Sequence, residues 1–122
     1  MLRVEKLDTL TPDIINFLGY TLDGYDNFYI QEISHGVSEL WEINGGESFC
    51  ITRLESDLQT NKTILVVCVY RGKNIEQFCD HVLKIVEGEK WGLRFHTFKP
   101  AFAKWMTKKY KFENTEYVIT RD

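Results

Sequence analysis

The chain has 122 residues, 43% of them hydrophobic and 27% charged, which fits one globular domain able to bury a core without staples. Its formal net charge of −3 is unevenly spread, with net −8 over residues 1–60 and net +5 over residues 61–122. No apolar run approaches the ~20 residues of a membrane span, and charges interrupt MLRVEKLDTL where a signal peptide has its apolar stretch, so an intracellular protein is expected. Three cysteines, Cys50, Cys68 and Cys79, include no C-x-x-C pair; each sits in an apolar stretch and is expected as a buried free thiol, with no metal site.

Thr11-Pro12-Asp13 opens a short helix through Ile14, Ile15, Phe17 and Leu18, with Thr11 as cap and Gly19 as its end. Thr21-Leu22-Asp23 starts a second helical piece interrupted by Gly24, and Phe28–Ser34 forms a helix ending near His35-Gly36. Leu2–Val4 offers only a thin first strand. Glu39–Ile43 and Ser48–Leu54 flank Asn44-Gly45-Gly46, a hairpin signal because Asn-Gly accepts positive φ. Ser56–Lys62 reads as a polar loop. The run Thr63–Tyr70, TILVVCVY, is apolar on both faces and belongs at a sheet centre.

Ile75–Val86 is an amphipathic helix, with Ile75, Phe78, Cys79, Val82 and Val86 on one stripe and Glu87-Gly88 at its end. Leu93–Phe98 alternates as a strand, Ala101–Tyr110 is a helix after Lys99-Pro100, and Glu116–Thr120 is a final strand. The expected fold is therefore α+β, one domain over residues 1–122. N-terminal helices precede β-β-β-α-β-α-β, forming a mixed sheet because strand–helix–strand units pair in parallel and hairpins do not.

That order resembles the GNAT acyltransferase fold over nearly the whole chain. Two local matches carry the resemblance. Arg71-Gly72-Lys73-Asn74-Ile75-Glu76, between the third meander strand and its helix, stands where the family has [Q/R]-x-x-G-x-[G/A]; Lys108-Lys109-Tyr110-Lys111-Phe112-Glu113 is similar to the family's ending before the last strand. The compact length and the Leu-Trp-Glu strand after Gly36 are also similar to small GNAT-like proteins of bacteriophages.

In the family the first motif wraps a pyrophosphate with backbone amides at a helix N-terminus. The resemblance thus implies Arg71, Gly72, Lys73 and Asn74 as the binding set for acetyl-coenzyme A. Asn74 replaces a glycine but tolerates left-handed backbone. Glu76 replaces a small residue; it either opposes the phosphates or offsets a helix N-terminus, and the second is favoured. The family's tyrosine acid falls on Thr107, a poor proton donor. Tyr110 occupies the family's leucine position, facing the core, and Lys111 replaces the glycine. The meander strand TILVVCVY has no acid, leaving Glu55, at the preceding strand's end, as the nearby base candidate or a solvated acid.

Cys79-Asp80-His81 does not converge on a helix, where neighbours diverge by about 100°. His35 suits a helix C-terminus. His96 faces opposite to Phe95 and either lines a strand-end cleft or forms a surface hydrogen bond. Lys104, Lys108 and Lys111 share a helical face, either solvated or fit for a phosphate backbone or an acidic partner.

The departures at Glu76, Thr107 and TILVVCVY imply a non-catalytic GNAT-like protein, leaning against an enzyme and needing no cofactor. It would act by protein–protein contact with other phage proteins, in the virion or the host cytoplasm. The alternatives are an acetyl-CoA-dependent N-acyltransferase, with Glu55 and Tyr110 as its catalytic candidates, and a nucleic-acid-binding module using Lys104, Lys108 and Lys111. Charge asymmetry also allows docking between copies of the chain.

Overall fold

The two-faced apolar run lies where its composition demands, in the middle of a seven-stranded sheet of order β1-β2-β3-β4-β5-β7-β6. The computed structural model describes the backbone of residues 2–96, 100–110, 113–115 and 118–121, and the side chains of residues 2–96 and 104–109. The strands are β1 Val4–Leu7, β2 Glu39–Ile43, β3 Ser48–Asp57, β4 Lys62–Gly72, β5 Gly92–His96, β6 Glu113–Thr115 and β7 Val118–Arg121. The helices are α1 Pro12–Leu18, α2 Asp26–Ser34, α3 Ile75–Glu89 and α4 Pro100–Tyr110. β4 and β5 are parallel and the other pairs antiparallel, so the sheet is mixed as expected.

Alternation along β4 divides the core in two. Ile64, Val66 and Cys68 pack with Leu18, Leu22 and Ile33 of the N-terminal helical region. Val67 packs on the other face with Phe78, Val82 and Val86 of α3, Phe95 of β5 and Met106 of α4. Each fully buried Val, Leu or Phe stabilises by roughly 1.5–3 kcal/mol relative to exposure, so the α3 stripe (Phe78, Val82, Leu83, Val86) fixes that helix on the sheet. All three cysteines are buried and free. Burial raises the thiol pKa of Cys68 to about 11 and of Cys79 to about 12, and pushes that of Cys50 up further.

Several boundaries differ from the sequence reading, each for a local reason. β3 runs on to Asp57 because its ladder with β4 continues through Asp57↔Lys62, which shortens the expected polar loop to 58–61. The second helical piece is a single 3-10 turn, Gly19–Leu22, closed by Asp23 in the left-handed region. α3 passes through Gly88 and stops at Lys90, φ 60°. In place of one final strand there are two, β6 and β7, paired antiparallel. Thr11 caps α1 as expected, its Oγ1 accepting from the Ile14 amide at 3.3 Å.

Candidate functional site

The β4–α3 junction holds the residues to which the cofactor motif was assigned. Arg71 is the next-to-last residue of β4, and its side chain crosses to the end of α1. Its Nη1 donates to the carbonyls of Phe17 at 2.9 Å and Leu18 at 3.4 Å. Its guanidinium lies 4.8 Å from the centroid of the Tyr20 ring. The cation thus meets the carbonyl end of a helix, where positive charge is favoured. Gly19 is part of the same joint: a Cβ there would approach Arg71 Nη1 to 2.8 Å.

Gly72 has φ +132° and pairs with Ser48 across the ladder. A Cβ on Gly72 would lie 2.5 Å from the Glu47 carbonyl oxygen and 2.6 Å from Ser48 Cα, so only glycine fits. The Lys73 carbonyl accepts from the hydroxyls of Ser48 and Tyr70. Burial raises the Tyr70 pKa to about 12, which keeps that phenol protonated and donating. Asn74, φ 68°, is the left-handed residue immediately before α3; its Nδ2 donates to Glu47 Oε1 at 3.3 Å. It makes no side-chain cap to α3. Glu76 lies in the first turn of α3 and is ion-paired with Lys109 of α4. The carboxylate therefore offsets the positive helix end while bound to a cation of the neighbouring helix.

A second polar group spans β3 and β5 on the sheet face that carries α1 and α2. Arg53 donates to Glu55 Oε2 at 2.8 Å through Nε and to Glu32 Oε1 of α2 at 3.2 Å. Ser38 Oγ donates to the same Glu32 oxygen at 2.9 Å. Arg94 of β5 approaches Glu55 Oε1 at 3.6 Å. Glu55 is consequently a mid-strand carboxylate shared by two arginines. Half-buried His96 ends β5 on the same face; burial first, then Arg53 and Arg94, holds its imidazole below the usual 6.5. It is neutral at pH 7 and competent to accept a proton.

Strand register places His96 beside an irregular part of β4. The parallel ladder covers Ile64–Val67 of β4 against Gly92–Phe95 of β5, while β4 continues to Gly72. The β3–β4 register slips between Ile51 and Thr52, leaving Cys68 as the unmatched residue on β4. Such bulges bend a strand and open a sheet locally. The Thr107 hydroxyl is shut off from solvent, with no hydrogen-bond partner among the described residues. Lys104 and Lys108 are exposed on α4; Lys111 and the side chain of Tyr110 lie outside the described residues. Among the described residues, no group of three or more His, Cys, Asp or Glu side chains is placed to hold a metal ion, and no helix is long and apolar enough to cross a membrane. An apolar groove of about 770 Å³ lies elsewhere, between α3 and strands β1–β4, lined among others by Val4, Trp41, Leu65, Val82, Ile85 and Trp91.

The sequence missed the Glu32–Arg53–Glu55–Arg94 chain because its members come from α2, β3 and β5 with no spacing rule between them. Alternation in Arg53-Leu54-Glu55 was the available signal, since it puts two opposite charges on one strand face.

No protein-family model matches the chain, and no curated protein sequence matches it. Solved structures do. Arabidopsis thaliana NAA60 in complex with acetyl-CoA matches with TM-score 0.65 at 11% identity, covering 99% of this chain and 98% of that one. Arabidopsis thaliana Naa50, in complex with the bisubstrate analogue CoA-Ac-MVNAL, matches with TM-score 0.60 at 14% identity over 99% and 98%. The AtaT toxin Y144F mutant, bound to the antitoxin AtaR C-terminus and acetyl-CoA, matches with TM-score 0.63 at 10% identity over 99% and 92%. The chain therefore has a GNAT-like fold, and those solved structures hold acetyl-CoA or a CoA-containing analogue.

Proposed function

We propose that this is a non-catalytic GNAT-fold protein that acts by contact with other proteins. The observation that carries this is the use made of the cofactor-loop residues. Arg71 holds the end of α1, Gly72 is pressed against β3, the Lys73 carbonyl takes two hydroxyls, and Glu76 is paired with Lys109. Each serves a contact within the fold. A pyrophosphate bound at α3 would compete with the Glu76 carboxylate for the same helix end and for Lys109. The residue aligned with the family's acid, Thr107, carries a hydroxyl closed off from solvent. Isothermal titration of the chain with acetyl-CoA tests this function: no saturable heat is expected, and micromolar binding overturns it.

A second reading, acetyl-CoA-dependent N-acyl transfer, is favoured by His96 together with the uncapped start of α3. A neutral, half-buried imidazole beside the β4 irregularity is suited to take a proton from an attacking amine. The uncapped α3 amides are suited to an anion. For that function, a mass-spectrometric screen of amine acceptors with acetyl-CoA gains the mass of an acetyl group on a product, and His96→Gln slows its formation. No acetylated product from any acceptor removes it.

A further inference from the structure

Between Lys6 and Arg53 the sequence has no lysine or arginine for 46 residues, yet it carries eight carboxylates. This stretch builds α1, the 3-10 turn, α2, β2 and the start of β3; its helical part carries Asp13, Asp23, Asp26 and Glu32, of which Glu32 is paired with Arg53. Four aromatic side chains stand open on it within twelve residues: Phe17 is 37% exposed, Tyr20 56%, Tyr25 58% and Phe28 47%. Isolated exposed apolar residues are ordinary, but a concentration of large rings marks a contact surface. Tyr25 and Phe28 meet edge to face with centroids 6.1 Å apart, and Phe28 meets Tyr29 at 5.4 Å. Exposed Asp23 and half-buried Asp26 lie among these rings in sequence, and exposed Asp13 precedes them.

The chain itself shows how this face receives a cation. Arg71 reaches over from β4, sets its guanidinium 4.8 Å from the Tyr20 centroid and donates to the Phe17 carbonyl at the end of α1. The electron-rich ring face and the carbonyl end of a helix act together there, and the exposed acids of the same segment are a third source of attraction for a cation. Tyr25 and Phe28 combine the ring and acid components, flanking Asp26 in the sequence.

We infer that the α1–α2 face docks a lysine- and arginine-rich segment of a partner protein. Its cations stack on Tyr25 and Phe28 and pair with Asp23 and Asp26. This names the partner class for the contact function proposed above and rests on that reading. A nucleic acid is the wrong sign for such a face. A cationic segment is attracted from a distance by the carboxylates and fixed at short range by the rings.

The test is fluorescence anisotropy of a labelled oligo-arginine peptide titrated with the full chain. Saturable binding is expected. Tyr25→Ala/Phe28→Ala leaves the charge unchanged and should weaken binding ~5-fold or more, from two exposed cation–π contacts. Asp23→Asn/Asp26→Asn should also weaken it and flatten its salt dependence. Lys104→Ala/Lys108→Ala on α4 should leave affinity undiminished. Circular dichroism confirms that each variant is folded. Equal affinity for the aromatic variant and the unaltered chain overturns the inference, because the peptide would then merely condense on negative charge. Sedimentation gives a second arm: self-association that Lys104→Ala/Lys108→Ala abolishes also overturns it, by assigning the face to a second copy of this chain. The acetyl-CoA titration is independent. Acetyl-CoA binding defeats the non-catalytic function without touching the peptide result, and loss of peptide binding alone defeats only the basic-partner assignment.

Discussion

Replacing Arg71 by alanine removes the joint between the end of β4 and the end of α1. Two hydrogen bonds from one guanidinium are lost, at 2.9 and 3.4 Å, with a ring contact at 4.8 Å. Hydrogen bonds involving a charged group contribute about 1.5–3 kcal/mol and an exposed cation–π contact about 0.5–1 kcal/mol. The guanidinium is only half-buried and the second hydrogen bond is long, so the lower end applies and the expected loss is about 2 kcal/mol. At roughly 2.1 cal/mol/K of unfolding entropy per residue, a chain of this length should melt ~8 °C lower. Arg71→Lys keeps the charge without the planar fork and should recover about half of the loss. Thermal and urea denaturation followed by far-UV circular dichroism measure this. An unchanged melting temperature in Arg71→Ala would refute the assignment of Arg71 to the fold.

Three further outcomes follow from the same geometry. Gly72→Ala combines a positive-φ residue with overlap on Glu47 and Ser48, and should cost ~3 kcal/mol or more in urea denaturation or prevent folding. The His96 pKa is lowered in the folded chain, so the unfolded chain binds more protons. That contribution to stability is complete above about 6.5 and is lost as pH falls from there through the folded pKa. His96→Gln should flatten this acid slope in urea midpoints measured across pH, and an identical slope in the variant contradicts it. Finally, burial raises all three thiol pKa values, so a disulfide exchange reagent at mildly alkaline pH should label Cys50, Cys68 and Cys79 only slowly until urea is added. Immediate labelling of the three would contradict the packing.

The fold was legible where one strong local pattern decided the outcome. TILVVCVY could satisfy both faces only at a sheet centre, and the Ile75–Val86 stripe could face only one way. The Asn-Gly hairpin, the Thr11 cap and the parallel pair beside α3 follow from equally local rules. The end of β3 was not legible, because Ser56 and Asp57 look like loop residues and are held by pairing with Thr63 and Lys62. The final hairpin was missed for a similar reason: Glu113–Thr115 is polar and becomes a strand through β7.

The site divides along the same line. Arg71, Gly72, Lys73 and Asn74 were singled out as a cofactor loop by resemblance; they lie at the β4–α3 junction, and Asn74 is left-handed as its side chain permits. What occupies Arg71 could not be read, since its acceptors are main-chain carbonyls more than fifty residues away and carry no residue code. Likewise, Glu76 as a first-turn acid was visible, whereas its bond to Lys109 depends on how α4 is laid beside α3. Glu55 was expected at a strand end and stands instead inside β3 between two arginines, because β3 extends past it.

Whether Arg71–Glu76 serves the fold or a cofactor is decided most directly by amide chemical shifts. A nitrogen–proton correlation spectrum of the labelled chain, titrated with acetyl-CoA, reports on the Gly72, Lys73, Asn74, Ile75 and Glu76 amides individually. With the junction committed to the contacts described here, those resonances stay in place. Progressive, saturating shifts confined to these amides and to Cys68 and Val69 of β4 would show a cofactor seated on α3 and contradict the account.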